Sequence, residues 1–462
     1  MSGTCPTGGR RDVAAGGGLS SLLYLVLTLA GVGDAILHLA PFRWIGVVAT
    51  ILFLVLEIRN LPRFQAAVGV VLVTAGLGVG SLNGSVAQVL IDGLAKAQLF
   101  LVLFFAIAWL QEPAAASPAL RAVRRTVVSQ PPGRRFLALA GGGHLLGAVL
   151  NVAGLALLST MVERQTDPTL QRRMASALMQ GYVAASMWSP FFVSVVVVLV
   201  ALPELGWAEV ISGGLPLAAI VMAWAWLFDR LRYTRRRAAQ PPPPGHPLSM
   251  RHRLHLAATL GSLVVIVIAI VEFSGLPLPV ILAFVGPPFG AMWMALVAGP
   301  ATPASRSAGR LARAVFGRLP GLRNEALAFV ASSIFGVGVA AGFPAELLAG
   351  VPGGGWAITG LVFGVVALGF LGLHPVVPVI FIGEALGPDV LGLPAKIIAM
   401  ALLGAWGLST LVSPVSGTTL VLSRFVAASS HVMAWRWNPP YVMGAAAIVS
   451  LSVYMAWRMH LY

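Results

Sequence analysis

A succession of long apolar segments, separated by short loops, limits what this chain can fold into. A spanning helix needs about 20 apolar residues, so the 462 residues leave room for roughly ten to thirteen membrane elements and for no sizeable soluble domain. Only 10% of the residues are charged, whereas soluble proteins carry about 25%. The sequence therefore predicts an all-α polytopic membrane protein. The first apolar segment is interpreted as a helix and not as a cleaved signal peptide.

The positive charge of the chain lies mainly in short loops beside the apolar segments. The formal net charge is +15, and arginines flank these segments as the positive-inside rule predicts for cytoplasmic loops. This distribution favours a bilayer partner over nucleic acid. It predicts a bacterial inner-membrane protein with a cytoplasmic N-terminus and a periplasmic C-terminus. Cys5 is the only cysteine, which excludes an internal disulfide and a cysteine metal site.

Single crossings by every apolar run would place several arginines outside. The arginines after run 136–161 and those of RLRYTRRR (230–237) stay cytoplasmic if 136–161 enters and leaves on one side. A second re-entrant hairpin at 356–386, opening outward, keeps most of the positive charges of the second half cytoplasmic as well. An alternative that folds 174–202 into the hairpin leaves more arginines outside. The layout has about 11 transmembrane helices and two re-entrant hairpins. The helices are predicted near 19–38, 43–58, 64–81, 90–111, 174–202, 209–228, 255–273, 277–298, 325–345, 395–426 and 440–457.

Two Ser-Pro dipeptides lie in the middle of long apolar runs, 224 residues apart: Ser189-Pro190 and Ser413-Pro414. Proline removes a helical hydrogen bond and clashes one turn back, so either dipeptide alone is typical of a simple kink. At the same offset, polar and aromatic side chains also coincide. The coinciding pairs are Ser186 with Thr410, Ser194 with Thr418, and Tyr182 with Trp406. The matched positions favour two repeats, each with a broken helix at a binding site.

The repeats are predicted to be inverted, because the first hairpin opens inward and the second outward. Inverted repeats with helices broken at the bilayer midplane are typical of secondary transporters. The predicted domains follow the chain. They are an extra N-terminal helix (1–40), a first repeat (41–229), a basic, proline-rich cytoplasmic linker (230–254) and a second repeat (255–462). The broken helices are 174–202 and 395–426.

This organisation resembles the ion transporter superfamily, which includes the divalent anion/sodium symporters, the citrate and gluconate carriers, and the membrane subunits of TRAP dicarboxylate transporters. The symporters carry Ser-Asn-Thr at their hairpin tips, and this chain contains no such tripeptide. By position, its counterparts are HLLGAVLNVAG (144–154) and FLGLHPVVP (370–378). The resemblance implies substrate and coupling-ion sites between the hairpin tips and the helix breaks. It also implies an elevator-like motion of the hairpins and broken helices, and often a homodimer.

The candidate site residues are the polar groups at the tips and breaks. For substrate or ion binding they are Asn151, Ser186, Ser189, Ser194, His374, Ser409, Thr410, Ser413, Ser416, Thr418 and Thr419. For proton coupling they are His144, His374 and Glu384. Histidine titrates near neutrality, although His374 is equally typical of a satisfied loop histidine. His144 and Glu384 fit close packing and an external interface, respectively, at least as well.

The function predicted from this pattern is symport of a small organic anion, a carboxylate foremost, with Na⁺ or H⁺ and with no cofactor. The predicted core holds no arginine, so a bound cation, a helix terminus or a protonated histidine would neutralise the anion. Two alternatives stay open: a cation/proton or inorganic-oxyanion antiporter of the same superfamily, and a channel. An enzyme is not expected, because the predicted cavity has no paired carboxylates, nucleophile–base pair or metal-spaced histidines.

Overall fold

The computed structural model describes residues 10–128, 132–163, 165, 167–233, 249–342, 350 and 352–462. Over these residues the regular secondary structure is helical throughout, and ten helical segments there are long and apolar enough to cross a membrane. The prediction of an all-α polytopic membrane protein is confirmed. Most of the basic linker 230–254 and the N-terminal residues around Cys5 lie outside the described residues.

The chain forms two compact units, and each unit takes residues from both halves of the sequence. Unit 1 comprises residues 1–116 and 266–342, and unit 2 comprises 117–265 and 343–462. The predicted repeats run along the chain, whereas these units each combine a part of one half with a part of the other. The connection between the units at 265–266 falls within helix α11 (Met250–Ser274).

Unit 1 contains seven long helices that pack through small residues. They are α1 (Arg10–Leu37), α2 (Ala40–Glu57), α3 (Arg63–Gly80), α4 (Val86–Ala116), α12 (Leu278–Ala298), α13 (Ala304–Arg318) and α14 (Arg323–Gly342). Helices α3 and α14 cross closely, because side chains at Gly338 and Gly342 would overlap the carbonyls of Gly76 and Val79. Small residues allow such backbone approach where lipid supplies no hydrophobic driving force.

Unit 2 contains the two predicted hairpins and both broken helices. Its first-half helices are α5 (Pro118–Val128), α6 (Pro132–Leu150), α7 (Val152–Glu163), α8 (Pro168–Ala185), α9 (Val193–Ala201) and α10 (Trp207–Tyr233). Its second-half helices are α15 (Gly355–Phe370), α16 (Val376–Ala385), α17 (Pro388–Leu391), α18 (Ala395–Val412), α19 (Gly417–Ser423), α20 (Ser430–Val432) and α21 (Pro439–Arg458). We name α6–α7 hairpin 1, α8–α9 broken helix 1, α15–α16 hairpin 2 and α18–α19 broken helix 2.

The two halves of unit 2 contact each other reciprocally. Helix α7 of hairpin 1 contacts α19 of broken helix 2, and α16 of hairpin 2 contacts α9 of broken helix 1. Within each half the equivalent pairs also pack together: α6 with α8, and α15 with α18. Reciprocal contacts between equivalent elements are the pattern that a two-fold axis produces. The packing of these elements is therefore reciprocal between the two halves of unit 2.

The number of uninterrupted spans differs from the predicted 11 for a local reason. Broken helix 1 is interrupted over residues 186–192, which leaves two helices that are each too short or too polar to count as spans. Broken helix 2 is interrupted over only 413–416 and counts as one span. The predicted span 325–345 begins earlier, because α13 and α14 are joined by a short 3₁₀ turn and form one helical segment over 304–342.

Candidate functional site

The tip of hairpin 1 is a single residue, Asn151, that links α6 to α7. Its φ of 51° lies in the left-handed region, which asparagine tolerates better than most residues. The buried side chain uses both ends of its amide. Its Oδ1 accepts a hydrogen bond from the Tyr182 hydroxyl (2.7 Å), and its Nδ2 donates to the Phe191 carbonyl (3.3 Å). The tip is thus fixed to broken helix 1 both before the break and within it.

Serine side chains satisfy backbone groups that the break in broken helix 1 leaves without helical partners. Ser189 Oγ donates to the carbonyl of Ala148 in hairpin 1 and accepts from the Phe191 N–H (3.2 Å). Across the break, Ser194 Oγ donates to the Ser186 carbonyl (2.6 Å). A broken helix is tolerated in a membrane protein only where its freed groups find partners or line a cavity. These three predicted site residues therefore hold the break in place.

The tip of hairpin 2 is a short turn that carries His374. Gly372 has a φ of 90°, a conformation that a Cβ disfavours. The His374 Nδ1 accepts a hydrogen bond from the Val376 N–H (3.3 Å), and its ring packs edge-on against Trp406, with centroids 5.9 Å apart. Trp406 is equivalent to Tyr182 in the repeat. Each broken helix therefore places an aromatic side chain against the tip of its own hairpin.

The break in broken helix 2 is closed by hydroxyls in the same way. Ser416 caps α19 by accepting from the Thr419 N–H (3.2 Å), and its Oγ donates to the Thr410 carbonyl (2.6 Å). Thr419 Oγ1 donates to the Ser413 carbonyl (2.7 Å). Ser413 and Thr418 are both buried. The second break is a compact cluster of hydroxyl and carbonyl oxygens.

Two positions that support the breaks were not predicted from the sequence. Asn438, before α21, is fully buried and its Nδ2 donates to the Leu411 carbonyl (2.8 Å). At the equivalent place in the first half, Gly214 lies directly against the Met187 carbonyl. In the second half, an amide side chain thus donates to the Leu411 carbonyl. In the first half, a glycine lets its helix approach the equivalent Met187 carbonyl closely. The 224-residue offset relates Gly214 to Asn438, but the two residue types differ and nothing in the sequence marks either as a contact of a break.

We expect Asn438→Leu to destabilise the protein by about 1–3 kcal/mol, because a buried carbonyl loses its donor. The measurement is thermal unfolding in detergent. Asn83→Leu is the matched control, since that partly buried amide donates over a longer distance (3.4 Å) to the Gly342 carbonyl. Equal melting temperatures for Asn438→Leu and the wild type would contradict this role.

The two broken helices contact each other at the start of the first break. A side chain at Gly407 of α18 would lie 2.8 Å from the Val183 carbonyl and 2.9 Å from Ser186 Oγ of α8. Thr410 lies one turn further along α18 and donates to the Gly407 carbonyl (2.8 Å). The start of the first break therefore lies against the last turns of α18.

The remaining predicted residues have more local surroundings. His144 lies in α6, and its Nε2 accepts from Trp188 Nε1 (3.2 Å), beside the first break. Ser409 is buried, donates within its own helix to the Trp406 carbonyl (2.8 Å), and packs against α15. Glu384 is at the far end of α16, roughly 15 Å along the helix from His374 at 1.5 Å per residue. The structure therefore does not bring Glu384 to the tip.

The resulting candidate site is polar and built from uncharged groups. Its hydroxyl and carbonyl oxygens are the type of group that unwound membrane helices offer to Na⁺. The residue before α9, Phe192, gives the helix no side-chain cap, and the positive end of a helix favours an anion. The arrangement suits joint binding of a cation and an anion.

The comparisons with known proteins leave the function to be argued from these residues. No protein-family model matches the chain, and no curated protein matches it. A solved structure, the YdaH transporter of Alcanivorax borkumensis, described as having an unusual topology, is similar over 78% of this chain and 85% of its own. The identity is 13% and the TM-score is 0.47, a level of likeness that carries no functional argument.

Proposed function

We propose that this chain is a secondary carrier that moves a small organic anion, a carboxylate foremost, together with Na⁺ or H⁺. The observation that carries the proposal is the reciprocal pair of hairpins and broken helices in unit 2. Both breaks, at Ser189-Pro190 and Ser413-Pro414, are held by hydroxyls, and the first break begins where the two broken helices contact each other. An interrupted membrane helix loses backbone hydrogen bonds. This loss costs stability unless the freed N–H and C=O groups find other partners or line a cavity.

The arrangement of unit 2 supports alternating access. Both hairpins and both broken helices belong to one compact unit, so they can move as a body. An elevator-like motion, implied by resemblance, needs such a body. The reciprocal contacts within the unit support the inverted repeat that the arginines predict. Inverted repeats give a carrier two related access states.

The chemistry of the site favours symport. The described residues at the tips and breaks are hydroxyls, amides and histidines, and they carry no fixed positive charge. An anion alone would be poorly compensated there, because taking an ion from water is costly without a partner. A co-bound Na⁺ or proton supplies that compensation. His374 and His144 are the candidates for proton coupling, and the oxygens around Ser413 are the candidates for Na⁺.

The test is uptake of radiolabelled carboxylates into proteoliposomes, with Na⁺ and proton gradients imposed separately. We expect accumulation of one acid above its external concentration under one of the two gradients, which names the coupling ion. Rapid downhill flux of many solutes, with no accumulation, would show a channel and overturn the proposal. Exchange of a cation or inorganic oxyanion for protons, with no carboxylate uptake, would show the antiporter instead.

A further inference from the structure

A basic, aromatic-lined pocket lies in unit 2, away from the breaks. It is formed by the start of α8, the end of α10 and the turn before α21, and it is lined by Arg172, Arg173, Gln180, Asp229, Arg232 and Trp437, among others. Arg172 lies roughly 20 Å along α8 from Ser186 at 1.5 Å per residue. The arginines of the pocket are therefore distant from the first break, while Gln180 lies about 9 Å along α8 from Ser186. Binding at the pocket does not depend on the function proposed above.

The pocket carries more positive charge than its own carboxylate can balance. Arg173 and Asp229 form a two-point ion pair, with Nε–Oδ1 at 2.7 Å and Nη2–Oδ2 at 2.6 Å. Arg172 lies over the ring of Trp437 (5.4 Å) and Arg232 over that of Phe228 (5.9 Å). Among the described residues, neither of these two guanidinium groups forms an ion pair with a carboxylate. The pocket thus holds two uncompensated charges.

A buried acceptor also faces the pocket without a partner. Gln180 is 3% exposed, and in the part of the chain that is described its Oε1 has no hydrogen-bond donor. A buried polar atom without a partner calls for an explanation, and an absent water or ligand is one. The cavity measures about 10 Å³, enough for a single water-sized group. A hydroxyl or ammonium group of a ligand would fill it and donate to Gln180.

We propose that this pocket binds a phosphate group that carries a hydroxyl- or ammonium-bearing substituent. The phosphate would lie between Arg172 and Arg232, and the substituent would enter the cavity toward Gln180. Guanidinium groups match phosphate oxygens in geometry as well as in charge. Two sources supply this chemistry: the headgroup of an anionic phospholipid, which basic pockets near the cytoplasmic surface bind, and a soluble phosphate ester.

The experiment measures retained lipid and thermal stability on the purified full chain. Phosphatidylglycerol and phosphatidylcholine are supplied in equal amounts, and bound lipid is counted by native mass spectrometry. In a second arm, glycerol 3-phosphate is titrated in detergent and the melting temperature is recorded. The variant is Arg172→Gln/Arg232→Gln. The matched control is Arg306→Gln/Arg310→Gln, which removes the same charge from exposed positions of α13.

We expect the wild type and the control to retain phosphatidylglycerol selectively, and the pocket variant to retain at least fivefold less. Stabilisation by glycerol 3-phosphate in the wild type and control alone would assign the site to a soluble ester. Equal lipid retention by all three proteins, with no stabilisation by the ester, would overturn the proposal. Gln180→Met leaves both arginines in place and is expected to lower phosphatidylglycerol retention at least threefold. If the double variant fails to fold, unchanged retention by Gln180→Met overturns the proposal.

Discussion

The Gly181→Val variant is expected to lose the folded form of unit 2. Gly181 lies where α8 crosses α6, and any Cβ there would overlap the carbonyl oxygen of Ala140 and crowd its carbonyl carbon (2.6 Å) and Cα (2.7 Å). The obstructing atoms are backbone, so the neighbour cannot yield by changing rotamer. Overpacking commonly lowers the free energy of unfolding by about 1–3 kcal/mol and occasionally by more. We expect the loss for Gly181→Val to lie at or above the upper end of that range.

The matched control is Gly141→Ala, one residue after Ala140 on the same helix. Nothing lies within 4 Å of a Cβ at Gly141. The alanine is therefore expected to stabilise α6 by about 0.5–1 kcal/mol through its helix propensity. Size-exclusion profiles and thermal unfolding in detergent measure both variants. Opposite effects are expected, and a Gly181→Val protein as stable as the wild type would show that this crossing is described wrongly.

The second large effect is expected from Thr419→Val, which keeps the shape of the side chain and removes its hydroxyl. Thr419 Oγ1 donates to the Ser413 carbonyl (2.7 Å) and lies 3.1 Å from Ser416 Oγ. Its loss leaves the Ser413 carbonyl with only the long bond from the Ser416 N–H (3.4 Å), and the break with one polar oxygen fewer. We expect the initial rate of gradient-driven uptake to fall at least tenfold, which corresponds to about 1.4 kcal/mol.

Thr74→Val serves as the control for Thr419→Val, because the exposed Thr74 hydroxyl only bonds back within its own helix, to Val70 and Val71. That variant should transport at the wild-type rate. Both proteins must be recovered in similar folded amounts for the comparison to count. Wild-type uptake by Thr419→Val at every gradient would remove the second break from the proposed site.

Much of the arrangement at the breaks could be predicted from the sequence. Proline alone does not locate an interruption, since Pro113, Pro216 and Pro287 lie inside continuous helices. The recurrence of Ser-Pro at a 224-residue offset indicated both interruptions, at Ser189-Pro190 and Ser413-Pro414. The equivalent aromatics Tyr182 and Trp406 followed from the same offset. These features depend on local residue chemistry or on an internal repeat. Either of these can be recognised in a single sequence.

Other features depend on which residues lie opposite each other, and no local pattern reveals that. The contact between Gly214 and the Met187 carbonyl, and that between Asn438 and Leu411, arise from tertiary packing. The ion pair between Arg173 and Asp229 joins the start of α8 to the end of α10. It could not be predicted from the sequence either. The two units could not be predicted for the same reason, since each combines segments that are distant in the chain.

The central claim is that the polar break in broken helix 2 lies on a path that opens to each side of the membrane in turn. It is tested most directly by a single cysteine, Ser413→Cys, in a Cys5→Ser background, since Cys5 is the only native cysteine. A membrane-impermeant thiol reagent is applied to oriented proteoliposomes from either side. Ser413 is buried, so labelling reports opening. We expect slow labelling from both sides. Labelling from one side only, or from neither, would show that Ser413 does not lie on such a path.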